Sequence, residues 1–157
     1  MFELAKTVIP TNISPWRQQP IEETMNYRIK MLKNFWTWIK QSNSKVFIAE
    51  AEQEKPAGFL VLYPHAVEEL TGLGQAWIMD IAVLEEYRKQ GIGRILMNAA
   101  ETYCREQGID YLGLAVSTHN VQALSLYQSL GFAEERKLMV KVLKTQRINP
   151  ECNGESK

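Results

Sequence analysis

The strongest constraint on the fold is an apolar run that ends at a glycine-containing turn and is followed by a helical pattern. Residues 75–83 form an apolar run with a single charge, which is typical of a central strand. Gly91 and Gly93 follow, and apolar residues then recur at helical spacing as far as Gly108, a residue suited to ending a helix. Because a helix connects this strand to the apolar run at 111–116, the two strands are expected to be parallel neighbours. The pattern predicts a mixed α/β fold.

Other segments supply the remaining elements. Residues 21–41 carry one apolar stripe at three- and four-residue spacing and are predicted to be a helix. Apolar runs at 46–49 and 58–63 flank a charged turn, which predicts a β-hairpin. A short helix is expected over 120–131, with Asn120 as its N-cap and Gly131 at its end, and a last strand over 138–143.

Composition limits the class of protein. The chain has 157 residues, of which 45% are hydrophobic and 23% charged, as in ordinary globular domains, so one domain over 1–143 and a polar, disordered tail over 144–157 are expected. Eighteen basic residues balance 18 acidic ones, which argues against a nucleic-acid partner. The chain begins without a signal pattern, and no apolar run approaches the roughly 20 residues that a bilayer requires. A cytoplasmic protein without a membrane partner is expected, with Cys104 and Cys152 as reduced thiols.

The turn after the central strand has the features of an anion site. Glycine allows the backbone to approach a ligand closely, and the N–H groups and positive dipole at a helix start attract an anion such as a pyrophosphate. Lys89 and Arg94 add positive charge. The alternative is that Gly91 and Gly93 only form a tight turn. The segment fits neither the dinucleotide-binding nor the phosphate-loop glycine pattern.

Three motifs in order resemble the GNAT superfamily of acyl-CoA N-acyltransferases. They are Ile81-Ala82-Val83, then Arg88-x-x-Gly91-x-Gly93, and then a run that begins at Asn120 and contains Ala123, Leu126, Tyr127, Gly131 and Phe132. The resemblance implies a mostly antiparallel sheet, with a splayed parallel strand pair at 75–83 and 111–116, flanked by helices. It also implies an N-acetyltransferase that moves the acetyl group of acetyl-CoA onto a primary amine of a small molecule or peptide, by direct attack in a ternary complex. Relatives are often dimers, so a homodimer is an implied partner.

The resemblance also implies the cofactor site. Backbone at Ile81 and Val83 is expected to bond the thioester and pantetheine arm, and residues 89–94 to surround the pyrophosphate. Asn120 is expected along the same cofactor, although an ordinary N-cap role is compatible with this. The implied set is Ile81, Ala82, Val83, Arg88, Lys89, Gln90, Gly91, Ile92, Gly93, Arg94, Asn120 and Tyr127. No metal is expected.

An amine acceptor must lose a proton before it can attack, so a general base is needed. Asp80 is the only acid on the central strand, and alternation places it on the opposite face from Ile81 and Val83, where it would act directly or through a water. A purely structural Asp80 is the alternative, and His119 is a second candidate base. Relatives carry a glutamate at positions that match Trp77, Met79 or Ala115, and this chain has none there. The sequence therefore does not decide which residue acts as the general base.

Tyr127 is the predicted acid. It lies seven residues after Asn120, close to two helical turns, so both side chains share a face. A phenol stays protonated at pH 7 and can give a proton to the departing CoA thiolate. The alternative is that Tyr127 only packs beside Leu124 and Leu130 on an apolar face.

Some features depart from the family pattern or stay open. A first strand normally precedes the first helix in the family. Here residues 2–6 already resemble that helix, so the strand is either missing from this sequence or supplied by residues 7–9. The acceptor pocket is expected between residues 10–40 and a loop at 64–75, where Trp16, Trp36 and Trp38 are candidate lining residues; helical spacing favours core packing for Trp36. Because the expected glutamates are missing, a catalytically weak or inactive acyl-CoA-binding module of the same fold, acting as a sensor or partner, is the alternative function.

Overall fold

A computed structural model describes residues 5, 9, 13–17 and 19–143 of the chain. The helices are α1 (Ile21–Gln41), α2 (Ile92–Glu106) and α3 (Val121–Ser129), and the strands are β1 (Lys45–Glu50), β2 (Pro56–Val67), β3 (Gly74–Val83) and β4 (Leu112–Leu114). Short 3₁₀ turns lie at Glu52–Glu54 and Glu85–Tyr87. The predicted helices, hairpin and central strand are confirmed.

The four strands form one sheet in the order β1-β2-β3-β4. The pairs β1–β2 and β2–β3 are antiparallel, whereas β3 and β4 are parallel, which confirms the predicted mixed sheet. The parallel pairing covers only Ala76 to Ile78 of β3, opposite Leu112 to Leu114. β3 continues to Val83 while β4 ends, so the two strands part after three residues. This is the predicted splay, with a shorter β4 than the expected 111–116.

A bulge in β3 determines which residues face each side of the sheet. Leu62 pairs with Ile78 and Val61 pairs with Asp80, so Met79 has no partner of its own on β2. Beyond the bulge, Ile81 packs against the hydrophobic cluster that contains Ile78, although the two are an odd number of positions apart, with two residues between them. Asp80 instead shares the face of Val61, its partner on β2.

Each face of the sheet buries its own cluster. The first lies under α2 and α3 and contains Leu60, Leu62, Ala76, Ile78, Leu96, Met97, Ala100, Cys104 and Tyr127. The second lies under α1 and contains Ala5, Ile9, Leu32, Ile39, Phe59, Val61 and Ala82. The apolar stripe of α1 therefore packs on the sheet as its spacing predicts, with Trp36 6.0 Å from Phe59 and Trp38 5.2 Å from Tyr63 between ring centroids.

Two predictions about strands are wrong. The predicted loop over 64–75 begins as strand, because β2 continues to Val67 through a register shift between Tyr63 and Ala66, and Pro64 is tolerated at that irregularity. The predicted last strand over 138–143 is not formed: this segment has no regular structure, and Leu138 is 97% exposed. High β-propensity provides no pairing partner by itself. β4 has only three residues at the sheet edge, and Arg136 holds the preceding segment by ion pairs to Glu68 and Glu69.

Some sequence predictions concern segments that the structure does not fully describe. The predicted tail over 144–157 lies outside the described residues. Of the possible first strand over 7–9, only Ile9 is described, and it lies in a turn, buried in the second cluster. Within the described ranges, no helix has both the length and the apolar character that crossing a bilayer requires.

Candidate functional site

The site lies where β3 and β4 separate. Just before the separation, Trp77 packs closely on Gly113, because a Cβ atom added at this glycine would lie 2.5 Å from an atom of the Trp77 ring. The glycine therefore allows the ring to approach β4 closely. Past Ile78, the edge of β3 that faces β4 has no strand partner among the described residues. Backbone groups exposed in this way need another hydrogen-bond partner, such as water or a ligand.

The glycine turn forms an open helix start. Gly91 has φ of 83° and is the N-cap of α2, with no side-chain cap. The N–H of Ile95 donates to the carbonyl of Gly91 at 3.0 Å, so the N–H groups of residues 92–94 precede the first bond of the helix. A Cβ atom at Gly91 would meet nothing within 4 Å. The start of α2 therefore combines available donors, a positive dipole end and open space.

Polar side chains of the turn brace it. Arg88 Nε donates to the carbonyl of Val83 at 3.2 Å, and Gln90 Nε2 donates to the carbonyl of Glu86 at 2.9 Å. Lys89 has φ of 61° and an exposed side chain. The sequence predicted Arg88 and Gln90 only as cofactor-binding residues, and the structure adds a bracing role that motif spacing does not reveal.

Helix α3 packs against the first turn of α2. A Cβ atom at Gly93 would lie 3.1 Å from Leu126 Cδ2, so this glycine allows the close approach of the two helices. Arg94 donates to Ser129 Oγ at 2.7 Å and ties the same turn to the other end of α3. The N-cap role of Asn120 is confirmed, since its Oδ1 accepts a hydrogen bond from the N–H of Ala123 at 3.2 Å.

This packing buries Tyr127. Its side chain belongs to the first cluster and is 8% exposed, with its ring centroid 5.9 Å from that of Phe132. Burial raises the pKa of the Tyr127 phenol above its usual value, and the nearby charge of Asp80 raises it further. The hydroxyl is therefore held in its protonated form. The packing role that the sequence allowed is confirmed.

Asp80 lies on the α1 side of β3, opposite Ile81 and Val83, as alternation predicts. Burial raises the pKa of its carboxyl, whereas the positive charge of Arg28 on α1 and a hydrogen bond from the N–H of Ile81 act to lower it. The N–H of Ile81 is therefore already used in a hydrogen bond to the Asp80 carboxylate. The site thus brings Asp80 and Tyr127 within electrostatic range of each other.

The other candidates are exposed or pack in the second cluster. His119 is exposed in the loop before α3, and Trp16 is 65% exposed. Trp36 and Trp38 pack in the second cluster, as expected for Trp36. Among the residues that the structure describes, no three acidic, histidine or cysteine side chains are grouped so that they could hold a metal ion. The residue that sequence reasoning missed is Arg28, whose only signal was a charge at the edge of an apolar helical stripe.

Comparison with known proteins agrees with this geometry. Residues 11–132 match the family model described as the acetyltransferase (GNAT) family. The chain is 36% identical over 95 residues to streptothricin acetyltransferase of Streptomyces lavendulae, covering 60% of this chain and 47% of that protein. It is 39% identical over 62 residues to the ribosomal protein bS18-alanine N-acetyltransferase of Escherichia coli K12, covering 40% and 42% respectively. The chain thus spans about half the length of these curated relatives.

A solved structure extends the likeness to the whole fold. A proposed acetyl transferase from Pyrococcus furiosus superposes with a TM-score of 0.74 at 24% identity, covering 90% of this chain and 91% of that one. This likeness concerns the fold. Together with the family match over residues 11–132, it means that the chain belongs to the acetyltransferase (GNAT) family.

Proposed function

We propose that the protein transfers the acetyl group of acetyl-CoA to a primary amine of a small molecule or peptide, by direct attack within a ternary complex. The observation that carries this proposal is the open N-terminus of α2 beside the separation of β3 and β4, against which α3, the helix of Tyr127, packs. Two relatives support an amine acceptor, because one is a streptothricin acetyltransferase and the other a ribosomal-protein alanine N-acetyltransferase.

The residues of the turn fit an anionic cofactor. The N–H groups of residues 92–94 and the open space at Gly91 suit a pyrophosphate, and exposed Lys89 and Arg94 add positive charge. The edge of β3 beyond Ile78, where β4 no longer pairs with it, is proposed to receive a chain of amides such as pantetheine. The Val83 carbonyl already accepts from Arg88 and the Ile81 N–H already donates to Asp80, so these groups would be shared with the ligand or released when it binds. Asn120, as the N-cap of α3, is proposed beside this edge. When bound, acetyl-CoA supplies an activated thioester whose acetyl group is open to attack by an amine.

Two side chains then handle protons. Asp80 is proposed to accept the proton of the acceptor ammonium, directly or through a water, which requires Asp80 in its carboxylate form. Tyr127 is proposed to hold a proton at Oη and give it to the departing sulfur. Its raised pKa supports this role, because a phenol that stays protonated can act as a donor over a wide pH range. Proton donation of this kind contributes at most about 10²–10⁴-fold.

The direct test is release of CoA from acetyl-CoA in the presence of polyamines, aminoglycosides, amino acids and peptides, assayed one class at a time. Acceptor-dependent release that falls in Asp80→Asn and Tyr127→Phe proteins is expected. Tight binding of acetyl-CoA without release for any acceptor would support an inactive acyl-CoA-binding module instead. Absence of acetyl-CoA binding to the folded protein would refute the cofactor assignment itself.

A further inference from the structure

The face of the sheet that packs on α1 is closed at one end of β3 and opens toward the other. Cross-strand pairs of β2 and β3 follow one another on this face: Phe59 with Ala82, Val61 with Asp80, and Tyr63 with Trp77. The first pair is buried, whereas Asp80, Tyr63 and Trp77 are half-buried. The opening on this face therefore begins at Asp80 and continues over an aromatic pair.

Aromatic rings continue from this pair in both directions. The ring centroid of Tyr63 lies 5.2 Å from that of Trp38 on α1, and Trp38 is stacked on Phe35 at 5.8 Å. On the opposite side of Tyr63, the ring of Trp77 reaches β4, since a Cβ atom at Gly113 would lie 2.5 Å from it. Phe35, Trp38, Tyr63 and Trp77 thus form an aromatic row that crosses the sheet from α1 to β4.

Asp80 lies beside the aromatic row on the same face. Its partner Val61 precedes Tyr63 by two residues, which is about 7 Å along a strand. At this point β3 no longer pairs with β4, so the carboxyl group lies where the two strands separate. Aromatic faces attract an organic ammonium, and a neighbouring carboxylate supplies the opposite charge. This combination suits an amine in its protonated form.

We propose that Tyr63 and Trp77 are specificity-determining residues that bind the acceptor, and that the acceptor is an alkylamine or arylalkylamine. Its ammonium lies at Asp80, and its carbon chain lies across the aromatic row. This inference rests on the proposed function, since it names the substrate class of the same site. The rings attract the cation and pack on the carbon chain. A peptide fits this surface less well, because its amide groups need hydrogen-bond partners that ring faces do not provide.

The test measures kcat and KM at saturating acetyl-CoA for butylamine, phenethylamine and a tripeptide of alanine and glycine. The variants are Trp77→Leu, Trp77→Phe and Tyr63→Leu. The control is Phe47→Leu, because Phe47 is also a half-buried aromatic residue of a strand but packs against the first cluster, on the opposite face of the sheet. A thermal melt and a calorimetric titration with acetyl-CoA accompany each protein.

The parent should use both amines with a higher kcat/KM than the tripeptide. Trp77→Leu and Tyr63→Leu should raise the KM for the amines by roughly 3- to 30-fold with little change in kcat, because the contact with the cation forms before the reaction. Trp77→Phe keeps a ring and should restore most of the lost affinity. Phe47→Leu should leave the KM for the amines at its parental value.

Gly113→Ala tests the same contact without removing an aromatic side chain. The added Cβ atom would overlap the Trp77 ring and displace it from β4. This variant should raise the KM for both amines as Trp77→Leu does, and it serves in place of Trp77→Leu if that protein does not fold.

A parent that prefers the tripeptide would overturn the proposed substrate class while leaving acetyl transfer intact. Parental KM values for the amines in the folded Trp77→Leu and Gly113→Ala proteins would overturn the role of Trp77 in the same way. If neither the amines nor the tripeptide release CoA with the parent, the proposed acetyl transfer to these acceptors fails, and the specificity fails with it.

Discussion

Gly91 and Gly108 form a matched pair for testing the cofactor site. They lie at opposite ends of α2, both have positive φ (83° and 65°), and a Cβ atom at either would meet nothing within 4 Å. A left-handed conformation costs an ordinary residue about 1–2 kcal/mol. Valine at either position should therefore destabilise the fold by at least about that amount, or roughly 2–8 °C in Tm for a domain of this size.

Only Gly91 lies where the pyrophosphate is proposed to bind. Gly91→Val should weaken acetyl-CoA binding tenfold or more, which corresponds to about 1.4 kcal/mol, whereas Gly108→Val should bind like the parent. Titration calorimetry measures the affinity for acetyl-CoA. A thermal melt of each protein shows whether the two substitutions destabilise the fold to the same extent. Equal affinity of the two variants at similar Tm would refute the assignment of the glycine turn to the pyrophosphate.

Three further predictions concern activity and stability. Tyr127→Phe keeps the ring and its packing, so Tm and acetyl-CoA affinity should stay parental while the steady-state turnover rate falls; parental turnover would remove Tyr127 from the mechanism. Asp80→Asn should raise Tm at neutral pH, because the raised pKa means that the fold disfavours the carboxylate. The gain should shrink as the pH falls through the raised pKa and vanish below about pH 4, where the carboxyl is protonated in both the folded and the unfolded chain. A melt series that shows a loss of Tm at neutral pH would indicate a structural role. Gly58→Ala should lower the free energy of unfolding by about 1–3 kcal/mol, since its Cβ would lie 2.8 Å from the backbone oxygen of Ala82. A Cβ atom at Gly74 would meet nothing within 4 Å, so Gly74→Ala should change the stability in urea little. Equal effects of the two substitutions would contradict the steric clash at Gly58.

Much of the architecture was predictable because local signals and packing agree. The stripe of α1 gave both its bounds and the face it buries, and the Asn120 cap and Gly131 bracket α3. The 138–143 segment was not predictable in the same way. Its residues favour a strand, but pairing depends on a neighbour elsewhere in the chain, and propensity contains no information about that neighbour.

The site was predictable in its backbone and less so in its side chains. Glycine positions indicate where backbone is open, and Gly91 fulfils this. The hydrogen bond from Arg88 to Val83, and the lowering effect of the Arg28 charge on the pKa of Asp80, depend on how a turn and a helix pack in three dimensions. Motif spacing could therefore indicate a candidate anion site but not these interactions.

The unpaired Met79 has a consequence for how such a chain can diversify. If Met79 were paired regularly, strict alternation would place Asp80 with Ala76 and Ile78, inside the apolar layer beneath α2. With the bulge, Asp80 faces α1 while Ile78 and Ile81 stay in that layer. Substitutions of the residues that pack against α1 can then change that face of the sheet without entering the layer beneath α2. A single bulge in β3 thus lets the two faces of the sheet vary separately.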